Sequence, residues 1–318
     1  MFKHILLPTD GSPLSEAAVE EGILFAKAID AKITGFCVIP LHYKFRYTAH
    51  IMQDAFGQST EPDTAMEKAF QAMVEKGTKE GKRLVEEYLS TIIKSAKEAG
   101  VACDAFYDVN DFPYEAIIQT AGQKGCDLIM MASHGRSGAK ALLLGSETQK
   151  VLTHSRIPVL VHRKGPEKQK GAGIFQHILL PTDASELSDT AAARGIDFAK
   201  TLNARVTGIF VVPEHYPSYY HTGATPELKK QAEEEWRAYA QQHLSNLAAA
   251  AVDNAVAYDG VVAVADDPYE AIVDVAGKKN CDLILMASHG RKGFGAVLLG
   301  SVTQKVLIHS AVPVLVYR

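Results

Sequence analysis

His4-Ile-Leu-Leu-Pro-Thr-Asp10 returns unchanged as His177-Ile-Leu-Leu-Pro-Thr-Asp183, 173 residues further along the chain. Pro40-Leu-His-Tyr43 answers Pro213-Glu-His-Tyr216 at the same offset. Beyond that point Pro113-Tyr-Glu-Ala-Ile117 matches Pro268-Tyr-Glu-Ala-Ile272, and Met131-Ala-Ser-His-Gly-Arg136 matches Met286-Ala-Ser-His-Gly-Arg291, now at an offset of 155. One domain is written twice, and the fall from 173 to 155 gives the first copy 18 extra residues. They lie between Tyr43 and Pro113 and are expected in the polar stretch His50 to Lys82. The copies are read as residues 1–163 and 174–318. Between them Lys164-Gly-Pro-Glu-Lys-Gln-Lys-Gly-Ala-Gly173 is charged, glycine-rich and without apolar periodicity, the signature of a linker.

Around the repeated heptad each copy alternates strand and helix signals. The apolar run Ile5 to Leu7 leads into Asp10-Gly-Ser-Pro-Leu-Ser15, where Ser12 is placed to cap a helix that starts at Pro13. A strand at Ile33 to Ile39 follows, then a long helix ending near Gly100, a strand at Ala105 to Val109 and a helix from Pro113. The copy closes with a strand at Leu128 to Ala132, a helix from Ser146 and a strand at Val159 to His162. Strands separated by helices imply a parallel sheet covered on both faces. The expected fold class is α/β, two tandem doubly wound domains, each with a five-stranded parallel sheet flanked by helices. Ligands of such sheets sit at the carboxyl ends of the strands, where the winding reverses.

Composition narrows the function classes. The chain has 318 residues, 47% of them hydrophobic, enough for two ordinary cores. Its 33 basic and 37 acidic residues give a formal charge of −4, with none of the basic excess that sequence-independent nucleic-acid binding needs. No apolar run approaches the roughly 18 residues of a membrane span, and Met1-Phe2-Lys3-His4 leads straight into a strand, so a cytoplasmic protein is expected. Cys37, Cys103, Cys126 and Cys281 form no CxxC pair and lie in or beside apolar stretches, which predicts buried reduced thiols.

The strongest chemical signal is Ala132-Ser-His-Gly135 followed, after nine residues, by Gly145-Ser146, and repeated as Ala287-Ser-His-Gly290 with Gly300-Ser301. Each turn follows a strand and precedes a helix, so glycine brings the backbone close to a guest and the helix N-terminus offers N–H groups to an anion. The same residues also read as helix starts with no ligand, because Ser146-Glu-Thr-Gln149 and Ser301-Val-Thr-Gln304 have the form of capping boxes.

Taken together, the opening Ile-Leu-Leu-Pro-Thr-Asp, the Ser-His-Gly turn, the Gly-Ser helix start and the closing Pro158-Val-Leu-Val161 and Pro313-Val-Leu-Val316 resemble the universal stress protein family over nearly all of both halves. ATP-binding members carry Gly-x2-Gly-x9-Gly-(Ser/Thr). Here the spacing is intact, but Ala132 and Ala287 stand at the first glycine. The resemblance implies that Asp10 and Asp183 accept from adenine or ribose and that the backbone of Val38 and Val211 meets the adenine edge. It assigns the phosphate turn to Gly135, Gly145 and Ser146 in one half and to Gly290, Gly300, Ser301 and Val302 in the other. Asp111 and Asp266 depart from the family's glycine before the third helix and favour a bridging Mg²⁺ if polyphosphate binds.

Other residues are read more plainly. His134 and His289 adjoin Ser133 and Ser288, but neighbours on a turn are expected to point apart, so loop support is read in place of catalysis. The aromatic segments His42 to Tyr47 and His215 to Tyr220 suit a lid or a loop packed on its own domain. No spacing fixes His42 to His50 or His215 to His221, and no metal site is read there. The reading is thus a tandem, stress-responsive regulator or binding module for ATP or another adenine nucleotide, with or without Mg²⁺, and no dedicated enzyme. The alternatives are a relative that has exchanged ATP for another ligand or a protein partner, and a slow ATPase. The bare Val-Leu-Val strands are expected to lie against each other as an internal pseudo-dimer, with a homodimer as a further option. Finally, Glu147 stands where the second copy has Val302, so repulsion of phosphate predicts the tighter site in the second half.

Overall fold

The computed structural model describes residues 2–39, 64–135, 144–163, 174–214, 225–290 and 299–318, and of residues 64–78, 80 and 229 the backbone alone. The linker 164–173, the aromatic segments at 42–47 and 215–220, and His50 and His221 lie outside the described residues.

In the first half β1 (His4–Thr9), α1 (Pro13–Ile29), β2 (Lys32–Ile39), α2 (Thr64–Ala99), β3 (Cys103–Val109), α3 (Pro113–Lys124), β4 (Leu128–Ala132), α4 (Ser146–His154) and β5 (Val159–His162) follow one another. The second repeats the order with β6 (His177–Thr182), α5 (Glu186–Leu202), β7 (Arg205–Val212), α6 (Pro226–Asp253), β8 (Tyr258–Val264), α7 (Pro268–Lys278), β9 (Leu283–Ala287), α8 (Ser301–His309) and β10 (Val314–Tyr317). Ser12 caps α1 as its sequence suggests, accepting from the Ser15 N–H, and α2 is longer than α6, at 36 against 28 residues.

The two five-stranded sheets are joined as one sheet of ten strands in the order β3-β2-β1-β4-β5-β10-β9-β6-β7-β8. Neighbours within each half run parallel, and the single antiparallel seam sets Val161 opposite Val314, Leu160 opposite Leu315 and Val159 opposite Val316. Each closing strand therefore covers the other's edge about a pseudo-twofold axis, which removes two apolar edges at once. Side chains alternate between faces along the central strands. Ile5, Leu7, Leu128 and Met130 join a core with α1, α2, α5 and α6, whereas Leu6, Ile129 and Met131 join one with α3, α4, α7 and α8. Both cores run through both halves.

Three of the four thiols are buried and Cys103 is partly so, with no disulfide among them. Burial pushes Cys103 up to about 11, and Cys126 and Cys281 up to about 12, which makes them poor nucleophiles at neutral pH.

His4 and His177 open β1 and β6 as buried imidazoles. His4 Nε2 bonds to Thr34 Oγ1 at 2.8 Å, and His177 to Thr207 Oγ1 at 2.8 Å and to the Lys279 carbonyl at 3.0 Å. Both are held below the ordinary 6.5, chiefly by burial and next by the cations Lys32 and Arg205. As pH falls through 6.5 the unfolded chain takes up protons that the folded chain refuses, so stability falls with pH in that window. Each histidine contributes a slope of at most about 1.4 kcal/mol per pH unit. Urea unfolding between pH 7.5 and 5 should show the decline and His4→Gln/His177→Gln should flatten it; an equal slope in both proteins refutes the assignment.

Candidate functional site

The order β3-β2-β1-β4-β5 changes winding direction at β1, and the second half does the same at β6. At that place the sheet opens. Between β1 and β4 only Ile5 with Leu128 and Leu6 with Ile129 are in register, and between β6 and β9 only Ile178 with Leu283 and Leu179 with Ile284, so toward their carboxyl ends the strands part. On the other side β2 pairs with β1 as far as Cys37, which leaves Val38 and Ile39 projecting beyond Thr9, and in the same way Val211 and Val212 pass Thr182. Each half thus has a crevice walled by the strand overhang and floored by the turn after β1 or β6.

Asp10 stands on that floor. One carboxylate oxygen accepts from the Ser12 N–H at 3.0 Å, and in the second half Asp183 accepts from Ser185 at 3.1 Å, so both aspartates hold the turn as their residue type suggests. The other oxygen reaches across the opening. A Cβ added at Gly135 would lie 2.3 Å from Asp10 Oδ2, and one at Gly290 would lie 2.1 Å from Asp183 Oδ2. A side chain at either glycine would have to displace that carboxylate. The floor turn itself needs positive φ, supplied by Gly11 at 71° and, in the second half, by Ala184 at 60°.

The helix that follows corrects one expectation. Ser146 and Ser301 are the first helical residues, the caps are Gly145 and Gly300 in extended conformation, and neither cap makes a side-chain hydrogen bond. The capping boxes are not formed. The reason is the fit of the preceding turn: Gly145 N–H donates to Ser133 O and Gly300 N–H to Ser288 O, both at 2.8 Å. A Cβ on either glycine would approach the Cα of His134 or His289 to 3.0 Å. Thr148 and Thr303 fasten the same helices by donating to the carbonyls of Ala132 and Ala287 at 2.9 Å. The two alanines end their strands buried, with Ala287 packed into the core.

Two further expectations change. Ser133 Oγ and His134 Nδ1 are 3.2 Å apart, and Ser288 Oγ and His289 Nδ1 are 3.0 Å apart, so these neighbours are bonded and do not diverge. No described carboxylate bonds to either imidazole. Glu147, read as a charge facing the phosphate turn, is drawn elsewhere. Its Oε2 accepts the Tyr114 N–H at the start of α3 at 3.0 Å, and its Oε1 pairs with Lys150 at 3.0 Å. In the second half the acid has moved to the opposite helix, where Asp267 pairs with Lys305 at 2.9 Å, and Val302 packs against the core. The last two helices are thus tied in both halves, by Glu147 and the Tyr114 N–H in the first and by Lys305 and Asp267 in the second, and Glu147 is spent on that tie and on Lys150 of its own helix. Residues 136–143 and 291–298, within the two phosphate motifs, lie outside the described residues.

Among the described residues no helix is long and apolar enough to cross a membrane, and no group of three or more His, Cys, Asp or Glu side chains is placed to hold a metal ion.

The sequence model of the universal stress protein family matches residues 1–163 and 174–318. A universal stress protein of Methanocaldococcus jannaschii is 30% identical over 169 residues, covering 53% of this chain and 86% of that protein. A universal stress protein of Mycobacterium tuberculosis is 26% identical over 252 residues, covering 75% of this chain and 77% of that protein. The crystal structure of a universal stress protein from Archaeoglobus fulgidus shares the fold, with a TM-score of 0.63 at 22% identity over 99% of this chain and 96% of that one.

Proposed function

The chain belongs to the universal stress protein family as a tandem member, and on that basis we propose that it is a cytoplasmic stress-response binding module that takes ATP or another adenine nucleotide in the crevice of one or both halves. The observation that carries this reading is the start of α4 and α8, where the caps Gly145 and Gly300 make no side-chain hydrogen bond, together with the turn glycines Gly135 and Gly290 set directly against the carboxylates of Asp10 and Asp183. Helix N-terminal N–H groups without side-chain caps suit a phosphate.

In this reading Asp10 and Asp183 accept from ribose hydroxyls, and the projecting backbone of Val38 and Val211 meets the adenine edge. The N–H groups around Gly135, Gly145 and Ser146, and around Gly290, Gly300, Ser301 and Val302, hold the phosphates. Mg²⁺ is the companion that reconciles Asp111 and Asp266 with a polyphosphate.

Calorimetry and thermal shift of the full chain with ATP, ADP and AMP, with and without Mg²⁺, test the proposal. One or two sites per chain are expected. Gly145→Val/Gly300→Val should weaken binding at least about tenfold, because each added side chain collides with backbone. The milder Gly145→Ala/Gly300→Ala, checked by circular dichroism, separates loss of binding from loss of fold. No heat and no thermal shift with any adenine nucleotide overturns the reading, and turnover of bound ATP within minutes replaces the binding module with a slow ATPase.

A further inference from the structure

The ten-stranded sheet ends at β3 on one side and β8 on the other, and the two ends are built differently. Val206 N–H donates to Ala257 O and Ala265 N–H to Val212 O, so the odd-numbered residues of β8 turn their backbone groups inward to β7. By alternation Tyr258, Gly260, Val262 and Val264 turn theirs outward. Ile33 N–H to Ala102 O and Asn110 N–H to Ile39 O give β3 the equivalent phase, with Cys103, Ala105, Tyr107 and Val109 outward.

Both strands have seven residues, at the long end for an exposed edge. β3 carries Asp104 and Asp108 within its length, the charges by which natural edges refuse a further strand. β8 carries a single acid, Asp259, paired with Lys279 at 2.6 Å, and then Gly-Val-Val-Ala-Val without a charge or proline.

We propose that β8 pairs antiparallel with β8 of a second copy of this chain about a two-fold axis at Val261. That register sets Gly260 opposite Val262 and Tyr258 opposite Val264, so every outward backbone group of the strand meets a partner. Asp259 then faces Ala263 of the other copy and no like charges meet. In the same register β3 would set Asp104 against Asp108, which is why the occupant is a second β8 and the other edge stays closed. The molecule already seals its centre in this way, through the antiparallel seam of β5 and β10.

The test is sedimentation of the full chain over a wide concentration range, with hydrogen exchange at its two ends. Reversible dimerisation is expected, with amides 258–264 gaining protection as concentration rises and those of 103–109 unchanged. Ala263→Asp imports the residue that β3 tolerates at its own equivalent position, Asp108, and sets it against Asp259. It should weaken the dimer at least about tenfold with the fold intact. A chain that stays monomeric, a dimer that protects other amides, or a dimer indifferent to Ala263→Asp overturns the proposal. Exchange on the unmodified protein decides the matter even if the variant fails to fold.

Discussion

Phe25→Ala is expected to destabilise both halves of the molecule together, by about 3–5 kcal/mol. Phe25 on α1 is fully buried and meets Phe175 at 5.7 Å between ring centroids and Phe198 at 5.6 Å, both in edge-to-face geometry. Phe198 on α5 is its own repeat equivalent, as Phe175 is that of Phe2, and Phe2 completes the group by meeting Phe198 at 6.1 Å. Four rings from two copies of one sequence thus form one knot on the pseudo-twofold axis. Removing a ring deletes its transfer free energy, leaves a cavity, and forfeits edge-to-face contacts of about 0.5–1.5 kcal/mol each. The chain's single tryptophan, Trp236, lies on α6 in the other half and gives an independent probe. Its fluorescence and far-ultraviolet circular dichroism should shift to lower denaturant together in Phe25→Ala. If Trp236 reports an unchanged transition while part of the dichroism shifts, the halves fold separately and the shared core does not couple them.

Arg163→Ala should cost about 3 kcal/mol, with Arg318→Ala costing less. These residues follow β5 and β10 and are exchanged across the seam. The buried Arg163 guanidinium donates to the carbonyls of Leu307 and Ile308 in the last turn of α8, and Arg318 donates to Leu152 O in α4 at 2.6 Å. Carbonyls in a final turn have no partner within their helix, and a cation there also meets the negative end of the dipole. Burial lowers the affinity of both guanidinium groups for their proton without bringing arginine near neutrality. Arg163 is buried whereas Arg318 is partly exposed, so water reaches the carbonyls left by Arg318→Ala more readily, and that difference orders the effects. Denaturant unfolding of the two variants checks the order; an Arg163→Ala protein as stable as the parent would mean that water replaces the guanidinium at no cost.

The order of strands and helices, the Ser12 cap and the turn glycines were legible in the sequence because each is a local choice. A hydrophobic period, a capping serine or a turn that calls for positive φ acts within a few residues of itself. The repeat offset added the pairing of β5 with β10, since two identical apolar edges in one chain have each other as the nearest cover. The tertiary structure alone decided where the polar groups of the last two helices go. Ser146 lost its cap position because the turn at Ser133 offers its carbonyl to Gly145. Glu147 left the phosphate turn because the sheet brings the Tyr114 N–H within its reach. Arg163 found its acceptors in the other half of the chain. A hydrogen-bonding group takes whichever unsatisfied partner the packed helices deliver to it, and along the chain those partners are 12, 33 and 144 or 145 residues away.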